Sequence, residues 1–193
     1  MTVGKQLIAI GLAVIWGAVA MPTAADEKND QQRPPTGLVS EVRLGTGDFR
    51  DVMHAMEAGY NSTGSCVSGP QEGAMGIHFA NDALIGDPAL DPQHPELLIY
   101  EKRGGQLRLV GVEFLVIAEA WHTSNTAPPV LMGQHFQFVG SPNRYGLPPF
   151  YELHVWAWRD NRNGMFVDWN PAVSCEEYTG DEGLAASAGH AGH

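Results

Sequence analysis

The most restrictive feature of the sequence is a β-hairpin whose second strand is apolar on both faces. Residues 97–102 and 106–118 have strand-like composition, and Gly104-Gly105 between them matches a tight hairpin turn. The second segment, LRLVGVEFLVIAEA, keeps large apolar residues at odd and even positions, whereas a strand with one solvated face alternates. We therefore expect this strand to lie in the centre of a sheet that is covered on both sides.

The segments around this hairpin predict an α+β fold. A helix is predicted from Asp48 to about Asn61, because apolar side chains recur there at spacings of three and four residues and Asp48 can cap the first turn. Further strand-like segments lie at residues 74–79, 131–139, 150–159 and 165–169. One N-terminal helix packed on a curved antiparallel sheet of four to five strands follows from this order. A cystatin-like or NTF2-like cone fits it, and a small β-barrel is the alternative.

The N-terminal 25 residues have the three parts of a secretory signal peptide. Lys5 precedes an apolar core at residues 7–21, and Thr23-Ala24-Ala25 supplies the small residues of a cleavage site. The core has 15 residues, fewer than the roughly 20 of a membrane-spanning helix. The alternative is an uncleaved membrane anchor. The pattern predicts a periplasmic or secreted protein with no stable membrane insertion after cleavage.

Composition divides the remaining chain into three parts. Residues 26–37 are polar and Pro-rich, which predicts a flexible leader, and residues 38–178 form the expected single globular domain. Residues 179–193 predict a disordered tail that contains His190 and His193.

Two cysteines, Cys66 and Cys175, lie in the expected globular domain. An even pair in an oxidising compartment predicts a disulfide. A pair of metal thiolates is the alternative, although the chain has no CxxC spacing of the kind that zinc sites use.

The charge of the exported chain restricts its partners. Cleavage after residue 25 removes one basic residue, Lys5, and leaves 10 basic and 22 acidic residues with a formal charge of −12. Such a surface repels phosphate backbones and anionic lipids, so nucleic acid is excluded as a partner. Metal ions and other cations remain compatible with it, and the oligomeric state is left open.

The strand at residues 150–159 carries polar and aromatic side chains on one face. Glu152, His154, Trp156 and Trp158 alternate with a mostly apolar set, so they are expected to point in the same direction. Reactive polar groups beside large aromatic rings indicate the wall of a ligand pocket. The structural alternative is an ordinary exposed strand face with cross-strand pairs.

Glu113 is the second unusual residue, because it interrupts the apolar strand of the hairpin. A buried carboxylate has to be paired, coordinated or protonated. Its structural role would be an ion pair with an arginine, and its functional role would be a metal ligand or a general base. Arg144, in a Pro- and Gly-rich loop at residues 140–149, can pair with Glu113 or Glu152 or bind an anion.

Three histidines fall inside strand-like segments and can point at a common centre: His78, His135 and His154. Together with Glu113 and Glu152 they form a candidate ligand set for copper or zinc, which accept imidazole and carboxylate ligands. A hydrogen-bonded structural role is the alternative for each histidine. No GxSxG, Walker, GxGxxG or CxxC sequence occurs, so no catalytic residue is assigned.

Three segments resemble a family of small exported bacterial proteins of unknown function. They are CVSGPQEGAMGIHFAN at residues 66–81, LVGVEF at residues 109–114, and the stretch from GSPNRYGLPPFYELHVWAW to SCEEY at residues 140–178. The resemblance covers most of the expected domain and implies no activity, cofactor or catalytic residue.

Three functions follow as hypotheses. The first is an extracytoplasmic binding domain whose polar-aromatic pocket holds copper, zinc or a small ligand, with Trp156, Trp158 and Arg144 around it. The second is a small cone-fold enzyme that uses Glu113 or His154 as general acid or base. The third is an interaction protein with Trp156 and Trp158 in an exposed patch.

Overall fold

The structure is a computed structural model that describes Met1, residues 37–69 and residues 71–180. The chain divides into two units, Met1–Pro34 and Pro35–His193, and every element below belongs to the second. The predicted signal peptide, residues 26–36 of the predicted leader and the tail beyond residue 180 lie outside the described residues. No helix in the described part has the length and hydrophobicity that a membrane crossing needs.

The helical part consists of short pieces. Helix α1 spans Gly37–Thr46, a 3-10 turn spans Gly47–Arg50, and α2 spans Val52–Glu57. The expected single helix from Asp48 to Asn61 is therefore wrong. Asp51 has an extended backbone and its side chain caps α2 by accepting from the Met53 amide at 3.0 Å, which separates the two helical pieces.

The strands form a six-stranded antiparallel sheet that curls into a half-barrel. Strand β1 spans Asn61–Gly69, β2 spans Gly73–Ala80, β3 spans Leu97–Arg103 and β4 spans Gln106–Ile117. Strand β7 spans Gln137–Val139 and β8 spans Phe150–Val155. The order of the strands across the sheet is β1-β2-β3-β4-β8-β7. A separate two-stranded sheet pairs β5, Val130–Leu131, with β6, Gln134–His135. Two short helices lie between strands: α3 spans Asp82–Ile85 and α4 spans Ala118–His122.

The α+β class and the antiparallel sheet are confirmed, but the expected four to five strands are too few. The additional strand β1 covers a Gly- and Ser-rich stretch that has no apolar alternation, and pairing with β2 orders it. The sheet is open at β1 and β7, so it is not the closed barrel of the alternative. The hairpin of β3 and β4 forms as predicted, with positive φ at Gly104 and Gly105.

One face of the sheet packs on the helices and forms the main core. Alternate residues of the strands, among them Phe79, Phe114 and Leu153, join Leu38 and Val42 of α1 in one buried cluster. The opposite face carries the remaining alternate residues and is covered by irregular chain. β4 therefore has both faces covered, as its apolar composition indicates.

A disulfide joins Cys66 in β1 to Cys175 near the end of the described chain, with their Cα atoms 5.8 Å apart. The predicted bridge is confirmed, and the alternative of metal thiolates is wrong. The bridge holds the irregular segment that follows β8, where the expected strand at residues 165–169 does not form. Only an isolated bridge between Ala74 and Asn170 pairs this segment with the sheet.

Glu96 is a buried carboxyl group immediately before β3. Its Oε2 accepts a hydrogen bond of 3.0 Å from the Leu115 amide, which lies beyond the end of the β3–β4 pairing. Burial raises the pKa of Glu96 from 4.5 to about 8; the hydrogen bond from Leu115 opposes this rise, and the negative charges of Glu113 and Asp87 add to it.

We expect the metal-free protein to lose stability between pH 4.5 and 8, and the Glu96→Gln variant to lose less. Because the folded pKa lies above the unfolded one, the contribution of Glu96 is complete below pH 4.5 and lost as the pH rises through 8. At about 1.4 kcal/mol per pKa unit, the difference amounts to a few kcal/mol. Urea unfolding of both proteins at several pH values, with a chelator present, measures it; parallel pH profiles would contradict the expectation.

Candidate functional site

A buried polar stripe crosses the face of the sheet opposite the helices. Alternation places His78 of β2, Glu113 of β4, and Glu152 and His154 of β8 on this face. One apolar cluster lies on each side of the stripe. The first consists of Leu97, Leu115 and Phe150, and the second consists of Ala74, Ile99, Val110, Trp156 and Val173. Polar groups in such a position require partners.

The first cluster consists of His78, Glu113 and His154. Nε2 of His78 lies 3.2 Å from Glu113 Oε2, and Nε2 of His154 lies 3.7 Å from the same oxygen. Glu113 and His154 are directly paired across β4 and β8, whereas His78 reaches them from the far side of β3. All three are at most 6% exposed, so the cluster is almost fully buried.

The second cluster consists of Glu152, His154 and Asp168, and its aspartate lies at the other nitrogen of the same imidazole. Nδ1 of His154 is 3.6 Å from Asp168 Oδ1. Asp168 comes from the irregular segment after β8, and Gln137 Nε2 donates to the same Oδ1 at 2.7 Å. The Trp156 ring is stacked on the His154 ring, with the ring centres 6.3 Å apart.

The two buried glutamates have opposite protonation preferences. Burial raises the pKa of Glu152 to about 9, and the charges of Glu113 and Asp168 add to the rise. Burial also acts to raise the pKa of Glu113, but His154, His78 and the hydrogen bond with Glu152 outweigh it, so the pKa lies below its usual range. Glu113 is therefore the carboxylate of the pair and Glu152 the acid.

The protonation states suit metal binding by the first cluster. Burial lowers the pKa of His154, although the nearby carboxylates of Glu113 and Asp168 oppose this. A neutral imidazole and an ionised carboxylate are the forms that coordinate metals. Among the described residues, no Lys or Arg lies within 4 Å of the Glu113 carboxylate, whose ion-pair partners are the two imidazoles.

Several polar atoms of the stripe lack hydrogen-bond partners. Glu152 Oε2 and both ring nitrogens of His154 are buried and have no hydrogen-bond partner among the described residues. The carboxylate oxygens near His154 are too distant for hydrogen bonds. In each cluster the potential ligand atoms lie within 4.8 Å of one another. Two ligand atoms about 2.1 Å from one ion are about 3.4 Å apart at tetrahedral angles, so both clusters can hold a metal ion.

A cavity of about 390 Å³ reaches the first cluster from the surface. Its wall includes His78, Glu113, Leu115, Phe150, Arg144 and Tyr145. Burial and the charges of Glu113 and Glu152 raise the pKa of Tyr145 to about 12, so its hydroxyl remains a hydrogen-bond donor. A larger cleft of about 600 Å³ lies beside Trp158 and Arg159, and the described residues that line it include no His, Asp or Glu.

The structure brings together four of the five predicted ligands: His78, Glu113, Glu152 and His154. His135 does not join them, because it lies exposed on β6 in the separate two-stranded pair and belongs to neither cluster. Met132, with φ of 48°, and Gly133 bend the chain between β5 and β6, so the expected strand at residues 131–139 is divided into short pieces.

The three predicted pocket residues have different positions. Arg144 lines the cavity with its guanidinium 5.9 Å from the centre of the Trp169 ring, and it makes no ion pair with Glu113 or Glu152 among the described residues. Trp156 lies on the polar face, but only 2% of it is exposed.

Trp158 leaves the polar face, because β8 ends at Val155 and the alternation stops there. Its Nε1 donates to Thr46 on the helix side of the sheet, at 3.1 Å. The half-buried Trp158 and the buried Trp156 therefore form no exposed patch, and the interaction hypothesis loses its basis.

Asp168 is the ligand candidate that the sequence does not reveal. Its segment precedes Cys175 and is therefore held near the sheet by the disulfide, which is the one signal that it borders a site. No periodic pattern indicates which of its side chains points inward.

In comparisons with known proteins, no family model, no curated protein and no solved structure matches this chain.

Proposed function

We propose that the protein acts outside the cytoplasm as a metal-binding protein, with one copper or zinc ion held by His78, Glu113 and His154. The observation that carries the proposal is the first cluster itself: two imidazole nitrogens lie 3.2 and 3.7 Å from one buried carboxylate oxygen. Imidazole and carboxylate ligands favour Zn(II) and Cu(II) over calcium or magnesium, which prefer oxygen alone.

The charge of the cluster supports the same conclusion. Among the described residues, the buried Glu113 carboxylate has ion-pair contacts with two imidazoles and none with a Lys or Arg, and a buried negative charge is costly in a protein interior without a compensating cation. A divalent cation compensates this charge and accepts the lone pair of His154 Nε2, which has no hydrogen-bond partner among the described residues. The disulfide supports an oxidising compartment, in which the periplasm or the exterior of the cell is the expected location.

The cavity supports a ligand-binding role for the proposed ion. Three protein ligands leave a coordination position open, which in zinc proteins takes water or a substrate. The cavity gives access to His78 and Glu113, and its wall combines apolar side chains with Arg144 and Tyr145. A small molecule with an oxygen donor and an apolar body fits such a wall.

Metal analysis of untagged protein exported to the periplasm of a bacterial host tests the proposal. His190→Ala and His193→Ala in the full chain remove the imidazoles of the tail. We expect about one equivalent or more of bound copper or zinc and a higher melting temperature with added metal, since an ion that binds the folded state stabilises it. Less than about 0.1 equivalent together with unchanged melting would exclude the proposal.

The opposite protonation preferences of Glu113 and Glu152 favour a second candidate, a small enzyme on a cystatin- or NTF2-like cone. Pairs of carboxyl groups with separated pKa values supply the base and the acid of many reactions. Carboxyl NMR of the metal-free protein tests it: one carboxyl group titrating near pH 9 supports acid–base chemistry, and titration of both glutamates below pH 5 would remove this candidate.

A further inference from the structure

The His154 ring lies between two groups of potential ligands. Its Nε2 faces the Glu113 carboxylate at 3.7 Å, and its Nδ1 faces the Asp168 carboxylate at 3.6 Å. The ring is 99% buried, and neither nitrogen has a hydrogen-bond partner among the described residues. A buried structural histidine normally donates its N–H to an acceptor. A histidine that binds a single metal through one nitrogen normally donates the N–H of the other nitrogen to an acceptor.

The group at Nδ1 has the properties of a ligand set. Glu152 is 95% buried, and its Oε2 has no partner among the described residues. Asp168 is oriented by the hydrogen bond from Gln137, which is itself paired with Glu152 across β7 and β8. Hydrogen bonds of this kind fix metal-binding carboxylates in position. Two carboxylates and one imidazole nitrogen therefore converge, with ligand atoms within 4.8 Å of one another.

We propose that a second metal position lies on this side of the ring, formed by Nδ1 of His154 with Glu152 and Asp168, so that His154 bridges two ions. The inference rests on the proposed function for the first ion. When both nitrogens coordinate and Glu152 binds as a carboxylate, the remaining N–H bond of His154 and the O–H bond of Glu152 break. The electron pairs of these two bonds become donors to the second ion, and both protons pass to the solvent. No electron is transferred between the ions and the protein.

The two positions differ in their surroundings. The first adjoins the cavity at His78 and Glu113, so the ion there can take a ligand from outside. The second lies beneath the segment that contains Asp168, whose side chain is 22% exposed. Trp156 flanks it, with its Nε1 donating to the Val167 carbonyl at 2.6 Å. We expect the second ion to have a structural role and to hold this segment against the sheet.

Copper titration of the full exported chain, with His190→Ala and His193→Ala in every protein, tests the inference. We expect two equivalents of Cu(II) to bind, with release of about two protons at the second, one from His154 and one from Glu152. The electron paramagnetic resonance signal should rise to one equivalent and then fall below half of the counted copper, because a bridging imidazolate couples the two spins.

Two single variants separate the positions. Asp168→Asn keeps a hydrogen-bond acceptor for Gln137 and should reduce the stoichiometry to one Cu(II), whose electron paramagnetic resonance signal accounts for all of the bound copper. The control, Asp160→Asn, changes an exposed aspartate and should still bind two Cu(II) ions. His78→Gln should weaken the first position and leave Asp168-dependent binding. Melting of each metal-free variant confirms folding.

The remaining outcomes overturn one proposal or both. One equivalent that depends on His78 but not on Asp168 would overturn the second position and leave the proposed function intact. Two equivalents whose signals simply add would overturn the bridging role of His154. Binding of no copper would overturn both proposals.

Discussion

Glu113→Gln is expected to weaken the binding of Cu(II) and Zn(II) at the first cluster by at least about 100-fold. The substitution keeps the volume of the side chain but removes the negative charge that faces both imidazoles. Loss of hydrogen bonds behind a metal ligand typically costs 10- to 100-fold in affinity, and loss of a direct anionic ligand should cost more. Competition with a chelator of known affinity measures the change.

A matched variant makes this result specific. Glu119→Gln makes the same chemical change at an exposed position on α4 and should leave the affinity within about twofold. The melting temperature of metal-free Glu113→Gln shows that it folds, and the increase caused by added metal should be largely lost. Equal affinities for Glu113→Gln and the parent would show that Glu113 is not a ligand.

Removal of the disulfide by the double substitution Cys66→Ala and Cys175→Ala is expected to lower the free energy of unfolding by roughly 4–5 kcal/mol. The two residues are 109 positions apart, and in the chain-entropy model the stabilisation by a cross-link grows with the length of the loop that it closes. Urea denaturation of parent and variant at the same pH measures the difference.

Reduction of the parent supplies the control for this prediction. A reductant should bring the parent to about the stability of the double variant and leave the variant unchanged, because the described chain has no other thiol. A loss below about 1 kcal/mol would mean that the connection is already enforced by packing of the segment on the sheet. The disulfide would then contribute little to the free energy of unfolding.

Together these results would connect the fold to the site. The half-barrel places imidazoles and carboxylates from β2, β4 and β8 between two apolar clusters, where their side chains are almost fully buried. The disulfide holds the segment that carries Asp168 close to the same face. Rigid strands therefore supply most of the candidate ligands, which favours a preformed geometry.

Several features could be predicted because they depend on local geometry. A strand directs alternate side chains to opposite faces, so the shared direction of Glu152 and His154 can be read from their spacing. Likewise Gly104 and Gly105 fix the hairpin, since both adopt positive φ. The disulfide follows from the presence of a single cysteine pair.

The same local rule fails where the strand ends, as Trp158 shows. Alternation predicts that it shares a face with His154, but β8 stops at Val155 and Trp158 turns to the helix side. Strand-like composition also groups His135 with the buried histidines, but the bend at Met132 and Gly133 places it elsewhere. The pattern of residues does not mark the point at which a strand ends.

The sequence by itself determined the hairpin, the faces of its strands, the bridge between Cys66 and Cys175 and four of the candidate ligands, His78, Glu113, Glu152 and His154. Only the tertiary structure decided that His78 meets Glu113 across β3 and that Asp168 approaches the far side of His154. Side-chain direction along a strand is set by neighbouring residues, whereas strand order and the path of an irregular segment are set by contacts between residues far apart in the chain.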